Sequence, residues 1–124
     1  MCAAFRPLLD KSTQPKVINI TSGLGSITNA LTKPMRRVTA YDTSKAAVNG
    51  LTAQLQALEN DRITLQQSQG NVAGTLKINY CAIAPGFLKT AFTRFNEMGK
   101  DPIAGAEEVV QLIIDDKYPG GTQW

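Results

Sequence analysis

Hydrophobic residues follow two different periods in the first half of this chain. Residues 17–21 (VINIT) are mostly β-branched and run into Ser22-Gly23, a composition typical of a short strand that ends in a turn. From residue 42 to residue 59 the apolar positions instead recur every three or four residues, which predicts a helix with one apolar face. That face consists of Ala47, Val48, Leu51, Leu55 and Leu58.

The second half of the chain repeats this order. Residues 76–84 (LKINYCAIA) are almost continuously apolar, as in a strand of a parallel sheet that is covered on both faces. Residues 106–115 contain apolar positions at helical spacing and predict a second helix. Residues 23–40 are predicted to be a loop, and residues 87–103 a loop with a short helix. Residues 60–75 are predicted to hold the end of the first helix and a loop.

The N-terminal residues add a short apolar pattern of their own. Phe5, Leu8 and Leu9 are spaced as on one side of a helix. The whole order of strand, loop, helix, strand, loop and helix favours an α/β fold with a parallel sheet. Two strands are too few for a stable open sheet of this kind, so residues 1–124 are predicted to form a single partial domain.

Composition narrows the classes of function. The chain has 124 residues and a formal net charge of +3, and it has no stripe of Lys and Arg interleaved with aromatic residues, so no nucleic-acid partner is expected. No apolar run approaches the ~20 residues of a membrane span, and no secretory leader is recognisable. We therefore expect a cytoplasmic protein without a membrane partner.

The residue types also limit the chemistry. The chain contains no histidine, which excludes a Ser-His-Asp or Cys-His hydrolase. Its two cysteines, Cys2 and Cys81, form no ligand-spaced cluster, so no metal site is predicted. Cys81 lies in an apolar run and is interpreted as a small buried hydrophobic residue.

Tyr41 and Lys45 are the most informative pair of residues. Four residues apart at the start of the predicted helix, they lie on one face and one turn apart. A phenol is normally too weak an acid to serve as a base at neutral pH, and a fixed ammonium beside it favours the phenolate. The pair has the elements of a proton-transfer site, although the same spacing also occurs in ordinary exposed helix pairs.

Three segments together resemble the short-chain dehydrogenase/reductase family. They are Ile18-Asn19-Ile20-Thr21-Ser22, then Tyr41-x-x-x-Lys45, then Ile83-Ala84-Pro85-Gly86-x-x-x-Thr90. Their order and approximate spacing match the family, and the sequence Ser22-Gly23-Leu24-Gly25-Ser26 is similar to its carbonyl-reductase-like members. The resemblance implies that the chain is the C-terminal part of a Rossmann-like, doubly wound parallel sheet.

The resemblance also implies roles for individual residues. Tyr41 is expected to be the catalytic acid or base, Lys45 to assist it and bind the nicotinamide ribose, and Ser22 to hold the substrate oxygen. Pro85, Gly86 and Leu88 are expected to line the nicotinamide of NAD or NADP, and Thr90 to contact its carboxamide. The expected reaction is reduction of a carbonyl or oxidation of a secondary alcohol on a small molecule, and a homo-oligomer is expected.

The chain departs from the family pattern at its beginning. The family has a first strand followed by a glycine-rich turn that holds the pyrophosphate. Gly23-x-Gly25 is not that turn, because it lacks the third glycine and no helical pattern follows it. An alternative hypothesis is therefore a truncated, non-catalytic fragment or a small interaction module without a cofactor site, in which Ser22 and Pro85-Gly86 merely form turns.

Overall fold

Two parallel strands and four α-helices make up the part of the protein that is described. The computed structural model describes residues 2–34, 38–70, 76–115, 117 and 120–121. The helices are α1 (Cys2–Leu9), α2 (Ile27–Thr32), α3 (Thr39–Ser68) and α4 (Pro102–Ile114). The strands are β1 (Lys16–Ile20) and β2 (Asn79–Ile83), which pair in parallel with Lys16 beside Asn79 and Ile20 beside Ile83. None of the described helices is both long and apolar enough to cross a membrane.

The predicted α/β fold with a parallel sheet is confirmed, and helices cover both faces of the sheet. On one face, Cys81 and Ile83 of β2 pack with Leu112 of α4, and Ile18 of β1 joins this core. Asn19 points to the other face, where its side-chain amide donates to Thr52 of α3 over 2.9 Å. The buried position of Cys81, which is 1% exposed, agrees with its interpretation as a core residue.

The prediction of a loop at residues 23–40 was wrong for part of that segment. Gly23–Gly25 form a 3-10 turn, and α2 follows at once. Two serines begin these elements: Ser22 accepts a hydrogen bond from the backbone N–H of Leu24, and Ser26 accepts one from that of Asn29. Ser26 lies in the segment predicted to be a loop, whereas here it caps the first turn of α2. Residues 35–37 of the predicted loop lie outside the described residues.

Helix α3 adds further turns beyond the apolar pattern of residues 42–59 and ends at Ser68. Its end lies within residues 60–75, the segment predicted to hold the helix end and a loop, and residues 71–75 lie outside the described part of the chain. The polar residues of the added turns pair along the helix, with Arg62 donating to both Glu59 and Gln66. These contacts explain why a polar stretch without proline stays helical.

The apolar face predicted for α3 is only partly buried, since Val48 and Leu55 are half-buried and the rest of it is exposed. Leu51 and Leu58 are 57% and 65% exposed, whereas Thr52, Gln56 and Glu59 are the buried residues of this helix. The reason lies in β2, whose outer backbone groups need hydrogen-bond partners. The Gln56 amide and the Glu59 carboxylate supply those partners, so a polar row faces the sheet.

The observed boundaries of β2 and α4 differ from the predicted ones by a few residues. The strand predicted at 76–84 is shorter, at Asn79–Ile83, and the helix predicted at 106–115 begins earlier, at Pro102. Asp101 accepts a hydrogen bond from the N–H of Ile103, and Pro102 occupies the first helical turn. The short helix expected within residues 87–103 is a 3-10 turn at Ala91–Thr93.

Candidate active site

The candidate site lies where β1 and β2 end. The two strands are parallel, so their carboxyl ends meet at the same edge, and the N–H of Thr21 donates to the carbonyl of Ile83 over 2.8 Å. Ser22 leaves this edge from β1, and Pro85 and Gly86 leave it from β2. The carboxyl edge of a parallel sheet is where α/β proteins usually bind their ligands.

Tyr41 and Lys45 lie on the first turns of α3, one turn apart as their spacing predicts. Both are half-buried. The ammonium nitrogen of Lys45 is 5.6 Å from the centre of the Tyr41 ring. The same nitrogen donates a hydrogen bond to the backbone carbonyl of Ile20, the last residue of β1, over 3.0 Å. Lys45 therefore connects the tyrosine to the end of the strand.

The turn that carries Ser22 is fastened to α3 at the level of Lys45. The hydroxyl of Thr21 donates to the carbonyl of Lys45 over 3.3 Å, and the Asn49 side chain donates to the carbonyl of Gly25 over 3.2 Å. A Cβ atom on Gly25 would lie 2.6 Å from the Lys45 carbonyl carbon, which is too close for any side chain. The close approach thus depends on glycine at this position.

Ser22 forms a turn, which is the alternative to the catalytic role that the family resemblance implies for it. Its hydroxyl oxygen accepts the N–H of Leu24 over 3.2 Å. A serine hydroxyl that accepts one hydrogen bond still has a proton to donate. The capping contact and the donation of a hydrogen bond to a substrate are therefore compatible.

A long loop after β2 reaches back to Tyr41. The rings of Phe92 and Tyr41 are 5.9 Å apart between centres and are tilted by 37°. Backbone hydrogen bonds close the base of this loop, from Lys89 N–H to the Lys100 carbonyl and from Lys100 N–H to the Phe87 carbonyl, both 2.9 Å. Phe92 is 78% exposed, so the loop presents an apolar side chain beside the tyrosine.

The predicted cofactor-binding residues occupy different parts of this loop. Gly86 has a φ of +90°, and the Lys100 ammonium lies 3.6 Å from where its Cβ would be. The Leu88 side chain packs so closely on α4 that it touches the position of a Cβ on Gly105. The N–H of Thr90 donates to the Thr93 hydroxyl over 3.0 Å. Gly86 thus lies next to the carboxyl edge, while Leu88 and Thr90 are used in the folding of the loop.

Sequence reasoning missed three contributors to the site. Thr21 and Asn49 hold the serine turn on α3, and Lys100 pairs with Glu108 over 2.7 Å beside Gly86. Their spacings in the sequence carry no signal, because each contact joins segments that are brought together only by the fold. The one available clue was Gly25, since a glycine in a polar turn can mark a close backbone approach.

Comparison with known proteins gives the family. A family model described as short chain dehydrogenase matches residues 1–100. The chain belongs to this family. A curated short-chain dehydrogenase/reductase of Aspergillus fumigatus is 48% identical over 124 residues, which is 98% of this chain and 46% of that relative. The chain thus spans about half the length of the curated relative it matches.

Solved structures of the family share the fold. Salutaridine reductase from Papaver somniferum superposes with a TM-score of 0.70 at 20% identity, over 99% of this chain and 49% of its own. The carbonyl reductase Sniffer of D. melanogaster gives 0.66 at 24% identity, over 98% and 47%. A short chain dehydrogenase from Shigella flexneri complexed with NADP gives 0.61 at 23% identity, over 98% and 45%.

Proposed function

We propose that this chain is the catalytic half of an NAD(P)-dependent oxidoreductase that reduces a carbonyl or oxidises a secondary alcohol. The observation that carries the proposal is the position of Lys45, whose ammonium lies 5.6 Å from the Tyr41 ring at the carboxyl edge of the sheet. A phenol and an ammonium held on adjacent turns of a long helix are preorganised for proton transfer. Family membership supports the class of reaction.

Tyr41 is the proposed acid or base. During reduction its hydroxyl gives a proton to the carbonyl oxygen of the substrate, and during oxidation the phenolate takes the proton of the alcohol. Ser22 donates a hydrogen bond to the same substrate oxygen, where negative charge develops during reduction.

The residues present fit the nicotinamide end of NAD or NADP. Gly86 stands at the carboxyl edge with the Lys100 ammonium 3.6 Å from the position of its Cβ, and Pro85 precedes it there. Lys45 is proposed to bind the ribose. The backbone near Leu88 and the hydroxyl of Thr90 are proposed to complete this part of the site. When bound, the cofactor supplies the hydride chemistry, and the protein supplies position and charge.

The proposed substrate is a small carbonyl or secondary alcohol with an apolar or aromatic substituent. Phe92 places an exposed aromatic ring next to Tyr41, and Phe95 and Met98 are 61% and 90% exposed on the same loop. A substrate that bound between this loop and Tyr41 would cover these side chains and exclude water from the reacting atoms.

A titration with NADH and NADPH tests the proposal. Nicotinamide fluorescence is followed as either cofactor is added to the purified chain, with Lys45→Met as a matched variant. Saturable binding that is at least tenfold weaker in Lys45→Met supports a cofactor site at this edge, and a screen for reduction of aromatic and aliphatic ketones follows. The same titration is repeated with the chain combined with the part of the Aspergillus relative that it does not match. If the folded chain binds neither cofactor in either case, the result favours the non-catalytic alternative.

A further inference from the structure

The loop between β2 and α4 is ordered without an apolar core in its middle part. Phe92, Phe95 and Met98 are 78%, 61% and 90% exposed, so burial of these side chains does not hold the loop in place. Thr93 is half-buried, whereas the other residues of the described stretch 91–98 are exposed. The conformation of this stretch therefore depends on hydrogen bonds and ion pairs.

The hydroxyl of Thr93 lies at the centre of the hydrogen bonds of this loop. It donates to the carbonyl of Leu88, five residues earlier, and accepts the N–H of Thr90 over 3.0 Å. A hydroxyl can fill both roles at once, because it has one proton and two lone pairs. The carbonyl of Thr90 in turn accepts the N–H of Thr93 over 3.1 Å and that of Phe95 over 2.8 Å. One side chain thus connects both sides of the turn.

The backbone that follows Thr93 has an uncommon conformation. Arg94 and Phe95 have φ values of +53° and +51°, in the left-handed region that residues other than glycine rarely adopt. Two such residues in succession persist only where neighbouring contacts hold them. The N–H of Arg94 donates to the Ala91 carbonyl over 3.0 Å, and the N–H of Phe95 donates to the Thr90 carbonyl. Without the Thr93 hydroxyl, the turn that makes these bonds loses its central support.

The base of the loop is held by a separate set of contacts. The N–H of Lys89 donates to the Lys100 carbonyl over 2.9 Å, and a Cβ on Gly99 would lie 2.6 Å from the Lys89 backbone nitrogen. The Lys89 ammonium also pairs with Glu97 over 2.7 Å, but the pair is largely exposed and such pairs contribute little to stability. A substitution at Thr93 should therefore loosen the middle of the loop and leave its base in place.

We propose that Thr93 is a positioning residue whose hydroxyl holds this loop in a preformed conformation, with Phe92 against Tyr41, before any ligand binds. Phe92 adjoins Thr93 in the chain, and its ring centre is 5.9 Å from that of Tyr41. A preformed loop loses less conformational entropy on binding than one that becomes ordered around its ligand. The preformed loop is independent of the proposed function, whereas the effect of Thr93 on a carbonyl substrate rests on it.

Hydrogen exchange on the full chain tests the preformed loop. Amide exchange is measured by NMR for the wild type, for Thr93→Val, which removes the hydroxyl, and for Thr93→Ser, which keeps it. Thr64→Val is the matched control, because the Thr64 hydroxyl donates to the Asn60 carbonyl on the exposed side of α3. The Thr21 amide, which bonds to the Ile83 carbonyl, reports opening of the whole fold.

In the wild type, the amides of Thr90 and Phe95 are expected to exchange at least tenfold more slowly than in an unstructured chain. Thr93→Val should speed exchange at both amides at least fivefold, while Thr93→Ser and Thr64→Val leave it unchanged. Unprotected amides in the wild type, or protection that survives Thr93→Val, would overturn the proposal. An equal loss of protection at the Thr21 amide would overturn it too, because the hydroxyl would then support the whole fold.

Kinetics test the effect on the substrate, using a reductase assembled from this chain and the part of the Aspergillus relative that it does not match. The KM for an aromatic ketone should rise at least fivefold in Thr93→Val and in Phe92→Ala, while the Kd of NADPH stays within twofold of the wild type. Because Thr93 acts through Phe92, the double variant should be no worse than Phe92→Ala.

Additive losses in the double variant would overturn the assigned action of Thr93 through Phe92. An assembled wild type that reduces no ketone would refute the proposed function. The preformed loop would then stand or fall on the exchange of the Thr90 and Phe95 amides alone, so the two failures are distinguishable.

Discussion

The first turns of α3 and its later turns use polar side chains in opposite ways. Tyr41 and Lys45 are half-buried, and the Lys45 ammonium bonds to the backbone carbonyl of Ile20 at the end of β1. Gln56 and Glu59 are each 3% exposed and bond to the backbone of β2. One helix therefore contains the proposed proton-transfer pair near its beginning and a structural pair near its middle.

The pKa of Glu59 reflects how fully this buried carboxylate is paired in the folded state. Burial by itself raises the pKa of this carboxyl, but hydrogen bonds from Arg62 and the Ile78 N–H and the charges of Arg6 and Arg62 outweigh it. The pKa of Glu59 is therefore lowered below its ordinary value. The lesson is that a buried polar group with all its partners in place stabilises the fold, whereas a half-buried pair at an edge remains available for a ligand.

Tyr41→Phe is expected to have the largest effect, and only on turnover. The change removes the proton donor and little volume, so reduction of a ketone by the assembled reductase should fall at least ~100-fold. Chemical denaturation of the same variant should show an almost unchanged free energy of unfolding. Turnover near the wild-type rate would remove Tyr41 from the proposed mechanism.

Glu59→Ala is expected to have the largest effect on stability. It leaves the Ile78 N–H without its acceptor and removes one partner from each of Arg6 and Arg62, which should cost about 3 kcal/mol of unfolding free energy. Asp10→Ala is the control, because the Arg6–Asp10 pair is exposed and should contribute under ~1 kcal/mol. Equal losses in urea denaturation would contradict the distinction between the two pairs.

The pH dependence of stability should report the same carboxylate. Because the pKa of Glu59 is lowered in the folded state, its contribution is complete above the pKa of an unfolded glutamate. That contribution is lost as the pH falls through the lower folded value. Glu59→Gln keeps an acceptor for the Ile78 N–H and removes the charge, so denaturation midpoints between pH 7 and pH 3 should fall less steeply than in the wild type.

Gly25→Ala and Gly50→Ala should change stability in opposite directions. A methyl group on Gly25 meets the backbone of Lys45 at 2.6 Å, so it should destabilise the fold by about 1–3 kcal/mol and separate the serine turn from α3. Gly50 has open space around it within α3, and alanine there should stabilise the helix by about 0.5–1 kcal/mol. Thermal unfolding of both variants checks that the first lowers the melting temperature and the second raises it.

Leu58→Gln should have the smallest effect. Leu58 belongs to the face that its periodicity predicts to be buried, yet it is 65% exposed. Replacement by a polar residue of similar size should change the unfolding free energy by less than ~0.5 kcal/mol. A loss of more than ~1.5 kcal/mol would mean that this face is covered, and sedimentation of the variant would then show whether an oligomer had dissociated.

The sequence by itself determined the class of fold and the candidate chemistry. Alternating strand and helix patterns predicted the parallel α/β arrangement, and the spacing of Tyr41 and Lys45 placed both on one helix face. These features are local, because they depend on side-chain periods of about two and 3.6 residues. The resemblance that identified the family rested on three such local segments, and the family model agrees with it.

Only the tertiary structure decided which face of α3 is buried. The apolar period favoured the side of Leu51 and Leu58, but the outer edge of β2 required hydrogen-bond partners and received Gln56 and Glu59. The close contact of Gly25 with Lys45 and the bond from Lys45 to Ile20 likewise join segments distant in sequence. Such contacts are set by the need of buried backbone groups for partners, which a residue pattern does not encode.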